Sequence, residues 1–203
     1  MLALTVLGLL LSSAAGTPAQ STAPPVKGHT IGESVAEFVQ KLGAESRARF
    51  QGCAAKAGTK EKVSIDCRNF QTVASSGGNG VIVCSNPRYN MDMCRDFEGV
   101  AGFSKNELVV LNLKITNTPW ESALEDTVKK FGQPTETHVE VKQNLFGARW
   151  ELRNTVWIAS KYTVLLYEDV DPKATPSQFI RFTITDKKYI DEKKSNPAKS
   201  ALD

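Results

Sequence analysis

The chain has 203 residues, 41% of them hydrophobic and 23% charged, with a formal net charge of +3. That balance excludes a chain disordered throughout and gives enough length for one ordinary domain, or two small ones sharing a core. Part of the basic surplus sits near the end, at Lys187, Lys188, Lys193, Lys194 and Lys199. This favours a solvated tail and argues against a nucleic-acid partner.

Residues 2–11 are an almost unbroken run of Leu, Ala and Val, followed by Ser12, Ser13, Ala14 and Ala15 and then Thr17-Pro18-Ala19. The run falls short of the roughly 20 apolar residues that span a bilayer, and its small-residue endings suit signal peptidase. Residues 1–19 are therefore expected to be a cleaved secretory signal. No cysteine follows that could take a lipid, so no membrane anchor is expected after cleavage. The product would be extracytoplasmic, either periplasmic or secreted. Residues 20–29 read as a flexible leader, and 191–203, polar and aperiodic, as a disordered tail.

The first half, 30–116, opens with a helix expected from about Gly32. Thr30-Ile31-Gly32-Glu33 has the capping-box pattern, Val35, Phe38, Val39 and Leu42 share one face, and Gly43 ends the run. A short helix near 47–57 follows. Residues 75–80 are a Ser-Gly-Asn loop, and strands are expected near 81–84, 100–103 and 108–115. Lys105-Asn106 between two alternating runs reads as a hairpin turn.

The second half, 117–190, starts with another helix, for which Thr118 is the expected cap, Pro119 the first turn and Glu121 the return partner. Leu124, Val128 and Phe131 form its apolar stripe, and Gly132 and Pro134 stop it. Strands are then expected at 137–142, 147–152, 156–160, 162–168 and 179–185, joined closely enough for an antiparallel meander. In the last of these Phe179, Arg181, Thr183 and Thr185 share one face, while Ile180, Phe182 and Ile184 share the face toward the core. The expected fold is α+β, with amphipathic helices packed on an antiparallel sheet. Laying Gly43 on Gly132 aligns Val35 with Leu124, Val39 with Val128 and Leu42 with Phe131, the pattern of two tandem repeats.

Two successive units of helix and meander, the second helix followed by Phe131-Gly132-Gln133-Pro134, resemble the tandem layout of the β-lactamase inhibitory protein family. They also resemble the small outer-membrane assembly lipoproteins of the SmpA/OmlA kind. The resemblance implies a binding role and assigns no individual residue.

Four cysteines, Cys53, Cys67, Cys84 and Cys94, form an even set in a chain expected to be exported, which favours two disulfides over free buried thiols. No pair has CxxC spacing and the only histidines are His29 and His138, so metal ligation is the least supported reading. Three pairings are open; the local one, Cys53 with Cys67 and Cys84 with Cys94, is preferred.

Nucleophilic chemistry has no recognisable carrier, since GxSxG and SxxK patterns are both missing. His138, between Glu136 and Glu140, falls on the solvent face of a strand. Asp169-Val170-Asp171 lacks the glycine and distal glutamate of a calcium loop and reads as a turn. No catalytic residue, metal or cofactor is assigned. Trp120, Trp150, Trp157, Tyr162 and Tyr167 gather in the second half, and Trp and Tyr are the side chains that anchor interfaces. Trp120, in a first helical turn, is the candidate binding-surface residue. The expected function is a non-enzymatic exported protein that binds another protein or an envelope component through its sheet face. The alternatives are an extracytoplasmic enzyme whose acidic and histidine residues converge only in three dimensions, and a carrier of a small apolar ligand.

Overall fold

Alternation of apolar and polar residues forces half of each strand's side chains to one side, and the computed structural model shows where that side leads. It describes residues 22–85, 93–94, 96–143, 147–170 and 178–195. The signal expected at 1–19 lies outside them.

Seven strands form one antiparallel sheet in the order β1-β2-β3-β7-β6-β5-β4. The first half supplies helices α1 (Val35–Lys41), α2 (Ala44–Ala55) and α3 (Ile65–Ser75), then strands β1 (Gly80–Ser85), β2 (Gly99–Ser104) and β3 (Glu107–Ile115). The second supplies α4 (Trp120–Phe131), then β4 (Glu136–Gln143), β5 (Arg149–Ile158), β6 (Tyr162–Val170) and β7 (Gln178–Asp186), and ends in α5 (Lys187–Ser195). One meander runs inward from β1 to β3 and the other inward from β4 to β7. They join where β3 pairs with β7, from Val110 opposite Thr185 to Ile115 opposite Ile180. The α+β architecture is as expected, although three helices precede the first meander and one precedes the second.

Helices cover one face of the sheet, and the core lies between. Phe38 of α1 sits edge-on to Phe103 of β2 at 5.4 Å, and Phe50 of α2 edge-on to Phe70 of α3 at 4.7 Å. In the second half Phe131 of α4 meets Tyr162 and Phe182, and the Trp157 indole N–H donates to the Gly132 carbonyl at 2.8 Å. Ile180, Phe182 and Ile184 are buried as the alternation of β7 requires. Both disulfides have the local pairing: Cys53–Cys67 links α2 to α3, and Cys84–Cys94 ties the end of β1 to the segment before β2.

Several expectations need correcting. Gly32 has φ +92°, outside helical space, so α1 starts later, capped by Ser34 with Glu37 as its reciprocal partner. At α4 the Thr118 hydroxyl donates back to the Thr116 carbonyl, and Pro119 occupies the cap position without a side-chain bond. The two strands expected at 147–152 and 156–160 are one, because Arg153, Asn154 and Thr155 continue the ladder against β4, and Asn154 and Thr155 also that against β6. Helix α3 was not expected at all. The β2–β3 hairpin was, and its Lys105 and Asn106 carry the paired positive φ values, 52° and 67°, that a two-residue connection needs.

Both ends of the folded region extend further than composition indicates. In the segment expected as a leader, Ala23, Val26 and His29 are buried, and Val26 and His29 exchange backbone hydrogen bonds of 2.7 and 2.9 Å. At the other end α5 continues through 191–195, which were expected to be disordered. Asp186 accepts from the Tyr189 amide, and Glu192 approaches Lys105 at 3.4 Å. A few well-placed side chains outweigh a polar average in both places.

Candidate functional site

Two clusters of titratable groups lie beneath the helices. His29, 2% exposed, places Nδ1 at 2.7 Å from Glu33 Oε1 and its ring at 4.2 Å from that of Phe38. Lys41 and the Thr30 amide hold the other Glu33 oxygen. Burial pushes the Glu33 carboxyl up, and the hydrogen bonds from His29, Lys41 and Thr30 together outweigh it, so the group lies below its ordinary 4.5. In the second cluster Arg153 grips Glu168 through Nε at 3.1 Å and Nη2 at 2.8 Å, while its backbone N–H donates at 2.9 Å. Its Nη1 reaches Glu121 at 2.7 Å, and its guanidinium lies 5.0 Å from the Trp120 ring centre. Again burial raises the Glu168 carboxyl and the Arg153 bonds more than offset it. Each cluster ties a helical segment to its neighbour, and among the described residues no buried side-chain nitrogen or oxygen lacks a partner.

Trp120 belongs to this second cluster. It is 6% exposed, so the candidate surface residue is a core residue. Position in a first helical turn said nothing about the strand beneath, where Arg153 offers a cation to the ring.

Among the described residues no helix packs on the other face of the sheet, although Leu152 and Asn154 of β5 are buried on it. Register places Lys114 of β3 opposite Arg181 of β7, Arg181 opposite Tyr167 of β6, Tyr167 opposite Asn154 of β5, and Asn154 opposite His138 of β4. These side chains form a row across the open face. Two cations directly opposite each other repel, yet Lys114 and Arg181 share the ring of Phe179, with Nζ and Cζ at 5.0 and 4.9 Å from its centre. Glu98 neutralises Lys114 at 3.0 Å, and Asp169 accepts from Arg181 Nε at 3.1 Å. Asn112 accepts from Arg181 Nη1 and donates to the Thr183 hydroxyl at 2.6 Å. An arginine held on an aromatic ring beside a part-buried tyrosine brings together side-chain types that are enriched in interface hot spots generally. Val81 and Ile158, two of the exposed large apolar residues, stand at opposite ends of one register row on this face.

His138 is exposed on this face as expected, its Nδ1 at 3.4 Å from Glu136. Asp169 serves Arg181 and stands 3.9 Å from Lys142, while Asp171 lies outside the described residues. Among the described residues no group of His, Cys, Asp or Glu is placed to hold a metal ion. The Lys114–Arg181–Tyr167 row is the feature the sequence reading missed. Its signal was Phe179 and Arg181 alternating onto the face away from the core.

A separate open groove of about 510 Å³ runs between α1, α2 and α3, with Val39, Phe50, Ala54, Phe70 and Ala74 in its wall and Gln51 and Asn106 among its polar groups. Among the described residues no charged side chain lines it. Among known proteins, no family model, no curated sequence and no solved structure matches this chain.

Proposed function

We propose that this chain is an exported, non-enzymatic binding protein that grips another protein or an envelope component through the open face of its sheet. The observation that carries this reading is the row Lys114, Arg181 and Tyr167, its two cations on the ring of Phe179, on a face that no helix among the described residues covers. Export is supported by the apolar N-terminal run and by the two disulfides, which fit an oxidising compartment. Among the described residues no helix is long and apolar enough to cross a membrane. The tandem helix-and-sheet layout, which resembles the β-lactamase inhibitory protein family, points the same way.

Cross-linking the tagged protein in its exporting host, then identifying what is captured, tests this reading. Tyr167→Ala and Arg181→Ala should each lower capture of a stoichiometric partner at least about tenfold, the scale of an interface anchor. Glu125→Ala, on the exposed side of α4, should not. A second reading, carriage of a small apolar ligand, is favoured by the uncharged groove between α1, α2 and α3. Saturable binding of a fluorescent fatty acid, abolished by Ala54→Trp, would support it.

A further inference from the structure

Strand β4 ends the sheet, bonded to β5 on one side and, among the described residues, to no strand on the other. Its side chains also lie unusually open. Val139 and Val141, 56% and 58% exposed, point to the helix side but lie beyond the packed core, and Glu136, His138 and Glu140 are exposed on the open face. A free edge of this length is a template for another strand unless its charges forbid pairing.

The charges on β4 do not forbid pairing; they specify it. We propose that two copies of this chain join antiparallel along β4, with Val139 facing its own counterpart on the two-fold axis. That register sets Glu136 of each copy opposite Lys142 of the other, and His138 opposite Glu140, so every ionisable pair on the open face is complementary or neutral. On the opposite face Val139 meets Val139 and Thr137 meets Val141, which covers the two exposed valines. Sliding by two residues destroys the match. With His138 on the axis, Glu136 faces Glu140; with Glu140 on the axis, it faces itself and His138 faces Lys142. Of these three registers the one centred on Val139 is selected, and it pairs residues 136–142 throughout; the contact is isologous and closed, as a symmetric dimer requires.

Pairing residues of equal parity keeps the same face outward in both copies. The helices stay on one side, and the two Lys114–Arg181–Tyr167 rows lie roughly end to end on a continuous sheet, with β5 and β4 of each copy between them. A ligand with two matching epitopes would then gain from avidity. The dimer itself does not depend on the binding reading, because its readout is mass.

Sedimentation of the full chain, purified from an exporting host, should give twice the denatured chain mass at micromolar concentration. The Glu136→Lys/Glu140→Lys double variant and the His138→Glu/Lys142→Glu double variant should each dissociate, with affinity lowered at least about tenfold. An equimolar mixture of the two should restore a dimer, which also shows that neither variant has misfolded. Val139→Cys should link to itself on mild oxidation, whereas Thr137→Cys should link to Val141→Cys and not to itself. A chain that stays monomeric at 100 micromolar, or a dimer unmoved by both double variants, overturns the proposal. Failure of the mixture to reassociate does so as well.

Discussion

Replacing Arg153 with Met keeps most of the stem that covers Trp120 and removes the charge that makes a buried carboxylate tolerable. Glu168 is 7% exposed and would retain only the Arg153 backbone N–H, at 2.9 Å, of the Arg153 donors it now accepts. An uncompensated buried charge costs about 3–5 kcal/mol, but a carboxyl can escape by taking a proton. From an ordinary value of 4.5 that escape costs about 3 kcal/mol at pH 7, which limits the penalty. Loss of the cation over Trp120 adds about 1 kcal/mol, so the variant should lose about 3–4 kcal/mol at pH 7. In the native protein the Glu168 carboxyl lies below its ordinary value, so its contribution is complete above pH 4.5 and is lost as pH falls through the folded value. In the variant burial outweighs the one backbone hydrogen bond that remains, so the carboxyl lies above its ordinary value and its contribution to stability falls as pH rises. The gap between the two proteins should therefore narrow to about 1–2 kcal/mol at pH 4.5. Urea unfolding followed by tryptophan fluorescence at both pH values measures it, and an equal loss at each would refute the account of this cluster.

Glu33→Gln should cost about 1–3 kcal/mol at neutral pH by weakening the ties to His29, Lys41 and Thr30. Because the native carboxyl lies low, the difference should shrink as pH falls below 4.5; a pH-independent difference in urea midpoint would contradict this. Trp120→Ala should lower stability by about 3–5 kcal/mol as a core truncation, yet leave partner capture unchanged at temperatures where the variant is folded. Gly78→Ala meets two obstacles. The backbone is at φ +78°, and a new Cβ would fall 2.3 Å from the Asn106 Cα, so thermal unfolding should drop by several degrees or the hairpin contact should be lost from proton exchange.

What the sequence made legible was local. Alternation in β7 placed Ile180, Phe182 and Ile184 inside, and Lys105-Asn106 between alternating runs marked its own turn. Short spacing made Cys53–Cys67 and Cys84–Cys94 the preferred pairs. Helix α3 was hidden because Arg68, Asn69, Gln71 and Thr72 interrupt its stripe, although the Ser64 cap with Cys67, Phe70 and Val73 at three-residue spacing could have revealed it. Arg153, Asn154 and Thr155 look like a turn until Glu168, on the next strand, supplies the partner for Arg153. The candidate site was the least visible part. It exists only because β3 and β7, remote in sequence, meet at the middle of the sheet and bring Lys114 to Arg181.

The central claim, recognition through the open sheet face, is tested most directly by placing a photo-activated cross-linking residue at Tyr167 and, in a separate variant, at Glu125 on the exposed side of α4. Irradiation in the exporting host should give one discrete adduct from position 167 and none from 125. An adduct from 125 alone, or none from 167 while the protein is folded and oxidised, would contradict it.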